Sequence, residues 1–370
     1  MQGHTNPSVS VVVPAYNAGQ YLSHTLDSVC EQTYQDFEII IVDDGSVDDT
    51  GEIAARYARK DGRIKVIRQR NGGVGAARNA AIETARGKYI APLDADDIWF
   101  PGKLERQVTL LEEGGNSWGL AYCWSKRIDP AGAIMGFSNE FTFRGDIFYS
   151  LLFRNFIGCA SVPLFRTAAV REAGGYLTRG QQGGSQGCED WLLLLKVAAR
   201  YQVGEAQDFL VGYRDSASSM SKNVVQMAES YETLLREVHA LQRHIPKKLI
   251  RWSKGNFYFY LATNSYCYTR HGKPLWFAKK AVLADPALLI NRVVLRVIMV
   301  SLARQVFGEN CFKSRRTGDN EDMVEERSQD MTFFGRILKL REEWIAENWS
   351  RLHVSKHAPT IPERLENRPI

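Results

Sequence analysis

The chain has 370 residues, 44% of them hydrophobic and 24% charged, with 30 Gly and 12 Pro. This is ordinary globular composition with room for two domains of about 100–200 residues each, and it excludes collagen-like, low-complexity and wholly disordered chains. The formal net charge of +5 is unevenly distributed: residues 1–218 carry 22 Lys and Arg against 26 Asp and Glu, whereas residues 219–318 carry 17 against 5. Different surfaces therefore face different partners.

No run approaches the about 18 apolar residues of a membrane span; the best, Val293 to Ala303, is broken by Arg296. The opening MQGHTNPS has neither a basic nor an apolar signal region, so no secretory leader and a cytoplasmic location are expected. Six cysteines at 30, 123, 159, 188, 267 and 311 include no CxxC pair, which predicts reduced thiols and no zinc site.

Val9–Val13 reads as a β-branched strand stopped by Pro14 and the Tyr16-Asn17 turn. Leu22, Leu26 and Val29 recur at helical spacing. Phe37–Val42 is a second strand, closed by Asp43-Asp44-Gly45-Ser46, and a helix follows from Asp49 to Lys60. Ile64–Ile67 is a third strand, Gly75–Ala85 a third helix, and Lys88–Leu93 a fourth strand ending in Asp94-Ala95-Asp96-Asp97. Apolar strands separated by helices predict an α/β fold, a Rossmann-like, mostly parallel sheet with helices on both faces. Pro92 is best placed at a strand end or edge. In such sheets ligands bind beyond the carboxyl ends of the strands, so Tyr16-Asn17, Asp43-Asp44 and Asp94/Asp96 should converge on one cleft.

From Trp118 to Tyr213 the pattern loosens, with one clear helix at Asp190–Ala199 after the Gly- and Gln-rich stretch Gly180–Gly187, which reads as a mobile loop. After Ser218 helical periodicity takes over to about Phe312. The expected units are 1–218, a basic helical unit 219–313, and 314–370 as an acidic linker, a candidate amphipathic helix at Met331–Asn348 and a flexible tail.

Asp94 and Asp96 at i and i+2, just past a strand, can face one hard cation such as Mg²⁺ or Mn²⁺, which takes oxygen ligands and completes its shell with phosphates. The alternatives are a solvated turn with Asp97 capping a helix, or a DxD-type phosphatase, whose nucleophile motif normally opens the domain rather than following the fourth strand. Asn71-Gly72-Gly73-Val74-Gly75-Ala76-Ala77-Arg78 suggests a dinucleotide turn, but Arg78 replaces its third glycine. A helix N-terminus and guanidinium meeting an anion, or a plain packing turn, fit as well. Glu189-Asp190-Trp191 opens the Leu-rich helix, either as first-turn acids or with one carboxylate as a general base.

VSVVVPAYN, VDDGSVDDT, NGGVGAARNAAIETARGKYIAPLDADD and GCEDW together resemble family 2 glycosyltransferases with the GT-A fold, over roughly residues 8–215. The resemblance implies inverting transfer from a nucleotide-diphospho-sugar with Mn²⁺ or Mg²⁺. It implies that Pro14, Tyr16, Asn17, Asp43 and Asp44 serve the nucleotide, that Arg78 lies by the nucleotide or diphosphate, and that Asp94 positions the nucleotide. It further implies that Asp96 binds the metal and that Asp190 is the base, with Glu189 beside it. The processive branch's QxxRW motif is absent, so single-sugar transfer is expected, with a UDP-sugar the foremost donor and a glycan or lipid-linked glycan the acceptor. A non-catalytic nucleotide-sugar-binding or scaffold protein is the competing class.

In the basic block, Arg292, Arg296 and Arg304 lie on roughly one helix side beside the stripe Leu289, Val293, Val297 and Val300. This predicts either an ordinary helix packed on the core or peripheral contact with an anionic membrane at its inner face. No nucleic-acid partner is expected, and Trp252, Phe257, Tyr258, Phe259, Tyr260, Tyr266 and Tyr268 read as helical core.

Overall fold

Seven consecutive buried residues form β1 (Val9–Ala15) and seven more form β2 (Phe37–Asp43). Because strand side chains alternate between faces, burial of every position means that both faces are covered. The computed structural model describes residues 6–138, 142–181, 186–216, 219–241, 245–268, 273–307, 340–341 and 343–345. The expected linker 314–330, the tail and most of Met331–Asn348 lie outside them, as do residues 182–185 of the Gly-rich stretch.

Helices α1 (Leu22–Cys30), α2 (Thr50–Lys60) and α3 (Val74–Thr84) link β1 and β2 to β3 (Ile64–Arg68) and β4 (Tyr89–Pro92). The four strands are parallel in the order β3-β2-β1-β4. Strand β3 lies at the sheet edge and buries only Ile64 fully. Strand β1 continues past the stop expected at Pro14, which pairs with Val42. Strand β4 accompanies β1 only as far as Val12 and Pro92, so at Pro14 a sheet neighbour remains on one side alone and a missing donor is tolerated. Pro92 closes β4, as its sequence position predicted.

The loose region holds most of the remaining sheet. It comprises β5 (Ile98–Trp99), α4 (Lys103–Glu113), β6 (Trp118–Ile128), β7 (Ile134–Phe137), α5 (Phe148–Phe153), β8 (Leu164–Arg166), α6 (Thr167–Glu172), α7 (Glu189–Ala198) and β9 (Gln202–Arg214). The sheet runs on from β4 through β8-β6-β9-β5, with β7 on β6. Strand β8 is antiparallel to both neighbours, and β9 is parallel to β6. The two longest strands, β6 and β9, are irregular against each other around Cys123, Trp124 and Ser125. Bulges there break the two-residue alternation that would have announced them.

Helices α8 (Val224–Leu241), α9 (Lys247–Tyr268), α10 (Pro274–Ala284) and α11 (Arg292–Phe307) follow, and residues 340–341 and 343–345, within the expected amphipathic helix, are helical as well. Trp191 of α7 stacks at 5.5 Å on Tyr231 of α8, which stacks at 4.0 Å on Phe257 of α9. The apolar core is thus continuous from the sheet into the helices. Phe257 and Tyr258 are buried in it, while Tyr260 is exposed. On α11, Val293 and Val297 are buried in that core, so the stripe read from the sequence is mainly a packing face. The outward apolar residues are instead Leu295, Met299 and Leu302, with Leu289 and Ile290 just before the helix. Among the described residues no helix is long and apolar enough to cross a membrane.

Candidate active site

Parallel pairing brings the ends of β1, β2 and β4 to one edge, where Ala15 lies opposite Asp43. Asn17, with a left-handed φ of 49°, donates its backbone N–H to Ser46 Oγ and accepts from the Val47 N–H, each at 3.0 Å. Tyr16 beside it is 52% exposed, whereas Pro14 is buried in β1. Asp43 Oδ1 accepts from the Ser46 N–H at 2.8 Å, while its buried Oδ2 forms an ion pair with Arg68 Nε at 3.5 Å.

Asp44 accepts from the Gly72 and Gly73 N–H groups, both at 2.8 Å, and from Gln69 Nε2 at 2.7 Å. The N–H groups leading into α3 therefore already hold an anion, supplied by the chain itself. Gly73 has φ +88°, and a Cβ there would strike the Gln186 side chain; at Gly75 a Cβ would lie 2.4 Å from the Leu177 carbonyl. The glycines thus serve both the turn and close packing.

Arg78 of α3 is buried and joins two distant motifs. Its Nη2 lies 2.5 Å from Asp94 Oδ1 and its Nη1 lies 3.1 Å from Glu189 Oε1. Tyr176 lies under the guanidinium, 5.0 Å from the ring centre. Burial opposes the charge on Arg78, but Asp94, Tyr176 and Glu189 more than offset it, so its pKa is raised. The guanidinium is already engaged by carboxylates, and its buried Nε has no partner. Glu189 also accepts from the Gly187 N–H at 2.7 Å.

Asp190 is partly exposed at the first turn of α7. Burial, then the neighbouring Glu189 charge, push its carboxyl up to about 7, against a smaller opposing pull from Arg78. That value suits a group that must take a proton near neutrality. Burial and Asp94 likewise raise Asp96 to about 6.

Three residues that no motif announced shape the turn between Asp94 and Asp97. Ser161 Oγ accepts from the Asp94 N–H at 3.0 Å and donates to Asp97 Oδ2 at 2.6 Å. Arg214, at the end of β9, donates its N–H to Asp97 Oδ1 and its Nε to the Asp96 carbonyl. Thr25 Oγ1 lies 2.9 and 2.8 Å from the Ala95 and Asp97 carbonyls. Asp97 is therefore a buried internal brace, not the helix cap weighed from the sequence. Gln186 is a further buried neighbour, its Nε2 unpartnered beside Gly73.

Among the described residues no cluster of three or more His, Cys, Asp or Glu is placed to hold a metal. The elevated Asp96 carboxyl, crowded by Asp94, nevertheless marks an under-compensated negative site. Mg²⁺ and similar cations are often held by one or two carboxylates plus substrate phosphates and water, and Asp96 with Asp94 fits that donor set.

A parallel half-sheet gathers acids at its carboxyl edge and continues into a mixed half, an arrangement compatible with the GT-A fold that the sequence resemblance implies. Residues 10–173 match the model for Glycosyl transferase family 2. The putative teichuronic acid biosynthesis glycosyltransferase TuaG of Bacillus subtilis is 33% identical over 239 residues, covering 64% of this chain and 90% of TuaG. The chain belongs to glycosyltransferase family 2. Several other curated relatives are matched over only 20% to 39% of their own length. Among solved structures, S. aureus TarS 1–349 aligns with a TM-score of 0.54 at 19% identity, covering 80% of this chain and 84% of that one. The mannosyltransferase PcManGT from Pyrobaculum calidifontis, in complex with GDP-Man and Mn²⁺, aligns at 0.52 with 17% identity, covering 89% and 88%. At these identities the structural likeness establishes the fold.

Proposed function

We propose that this chain transfers one sugar, with inversion, from a nucleotide-diphospho-sugar to a hydroxyl of a glycan or lipid-linked glycan. A UDP-sugar is the donor favoured by the family resemblance. The observation that carries the reading is the Arg78 bridge, which holds Asp94 at the donor end beside Glu189-Asp190 at the acceptor end. In this reading residues 1–218 are the catalytic unit and 219–313 an accessory helical unit.

Pro14, Tyr16, Asn17, Asp43 and Asp44 frame the nucleotide, with Arg78 Nε, which lacks a hydrogen-bond partner, as a group left for it to satisfy. The acceptor hydroxyl donates its hydrogen bond to Asp190. As the acceptor oxygen forms its bond to the anomeric carbon, the bond from that carbon to the diphosphate oxygen breaks, and the proton passes to Asp190. One displacement from the face opposite the leaving group inverts the centre. Glu189, held by Arg78 and the Gly187 N–H, keeps a negative charge beside Asp190 that favours its taking the proton. Asp96 and Asp94 would hold Mn²⁺ or Mg²⁺, which when bound neutralises the leaving diphosphate.

The setting proposed is the cytoplasmic face of a membrane, with peripheral contact through α11. Exposed Arg292 precedes Leu295, Met299 and Leu302, which are 40%, 66% and 46% exposed.

A thermal-shift screen of UDP-, GDP- and dTDP-sugars with Mn²⁺ or Mg²⁺ tests the donor. A ligand at about 100 times its Kd should stabilise the fold by about 2.7 kcal/mol, and slow donor hydrolysis should accompany it. Stabilisation without hydrolysis or transfer would favour the scaffold reading. No response to any nucleotide-sugar would remove both.

A further inference from the structure

Away from the sheet edge, α8, α9 and α10 enclose an open groove of about 410 Å³, within the about 300–1,000 Å³ usual for small-molecule sites. Its wall on α8 carries Glu229, Glu232 and Arg236, spaced i, i+3 and i+7 so that they share one face. Across from them Trp276 of α10 leaves 45% of its surface exposed. Lys280 sits 4.1 Å from the Trp276 ring centre and 4.8 Å from that of Tyr258, fixing one cation against both rings. Tyr258 donates its hydroxyl to Glu232, and Arg236 donates to Thr233 Oγ1 at 2.9 Å.

Both signs of charge thus surround an exposed indole in a small space. Glu232 also pairs with Lys254 at 3.5 Å and Lys280 donates to the Tyr258 hydroxyl at 3.4 Å; a wholly apolar ligand would strip water from the remaining polar sites of these groups, and a polyanion would meet Glu229 and Glu232. A saccharide can rest on the indole surface that Lys280 leaves exposed and bond groups of either charge. One face of a pyranose presents C–H bonds to an aromatic plane, and its hydroxyls donate to carboxylates and accept from guanidinium and ammonium groups. From this geometry we infer that the α8–α10 groove is a second carbohydrate-binding site, taking an oligosaccharide portion of the acceptor.

The groove's position supports that role, which rests on the glycosyltransferase reading above. On the opposite face of α8, Ser230 Oγ accepts from the Cys188 N–H at 2.9 Å. A Cβ on Gly187 would lie 2.5 Å from Met227 Sδ. Gly187 and Cys188 immediately precede Glu189 and Asp190. One helix, about 10–12 Å across with its side chains, therefore separates the groove from the segment carrying the candidate base.

The full chain should be retained on an array of immobilised oligosaccharides. Trp276→Ala and Arg236→Ala should each weaken that retention about tenfold, equivalent to about 1.4 kcal/mol, while hydrolysis of a nucleotide-sugar donor stays unchanged. Retention undiminished in both variants would overturn the site. So would a wild-type chain that hydrolyses donor yet binds no oligosaccharide. If Trp276-dependent binding persists but no donor is hydrolysed or bound, the groove stands and the transferase reading falls.

Discussion

Arg78 Nη1 lies 3.1 Å from Glu189 Oε1, joining residues 111 positions apart, while the same guanidinium holds Asp94. One buried cation therefore sets the distance between the DxD turn and the start of α7. Removing one member of a buried ion pair leaves uncompensated charge and costs about 3–5 kcal/mol. Arg78→Ala should lose that much stability in urea denaturation, and Arg78→Lys should recover only part of it, because one ammonium cannot reproduce a planar fork. A loss in Arg78→Ala below about 1 kcal/mol, the size of a solvated surface pair, would show that the bridge does not organise the site.

Asp190→Asn separates binding from chemistry. The amide keeps the shape of the first turn of α7 but cannot take a proton from the acceptor. Donor affinity should stay within a few-fold, while transfer falls by about 10²-fold or more, the range of a lost general base. Near wild-type turnover would leave Asp190 as a first-turn helix acid alone.

The parallel half of the fold was legible in the chain because fully buried strands leave short runs rich in β-branched residues, as in Val9–Val13 and Phe37–Val42. The acids at its carboxyl edge were legible for the same reason, since strand ends fix where Asp43, Asp44, Asp94 and Asp96 must lie. Apart from α7, which lies within a residue of the helix expected at Asp190–Ala199, the mixed half was not legible. Strands β6 and β9 carry bulges and polar, half-exposed positions, and β8 is three residues long. Ser161 and Arg214 went unseen because their roles depend on contacts 64 and 117 residues away with Asp97, and neither sits in a pattern with a local cause. On α11, periodicity marked an apolar stripe but could not tell the face packed on the core from the face left outside.

The raised Asp190 carboxyl gives a pH dependence with a definite sign. As a base it works only when ionised, so transfer should climb as pH rises through about 7. Stability should move the other way. A carboxyl raised from 3.8 to about 7 stabilises the fold fully below its ordinary value and loses that contribution as pH rises through the folded one. Asp190→Asn lacks this loss, so its Tm should exceed that of the wild type above neutrality, with the gap closing toward pH 4. A Tm difference that does not change with pH would show that Asp190 titrates normally.

Asp96 is the test of metal dependence. Its carboxylate is crowded by Asp94, and a divalent cation shared with the donor diphosphate is the natural compensation. Asp96→Ala should weaken nucleotide-sugar binding in calorimetry and make what remains insensitive to EDTA. Unchanged, EDTA-sensitive binding in the variant would move the cation to other ligands.

The outward side of α11 carries the membrane proposal. Each Lys or Arg close to an anionic surface contributes about 1 kcal/mol, screened over a Debye length of about 10 Å at 0.1 M salt. Only part of the basic block can face one plane, so adhesion should be weak and strongly salt-dependent. Leu295, Met299 and Leu302 add an apolar contribution because, unlike Val293 and Val297, they are not occupied by the core. The protein should co-sediment with phosphatidylserine-containing vesicles at low salt and be released at high salt. Replacing Arg292 with Gln and Met299 with Ser together should reduce binding at low salt, while leaving the thermal stability little changed because both side chains are exposed. Protein that stays in the supernatant with anionic vesicles at low salt would remove the membrane contact and make a soluble glycan the better acceptor.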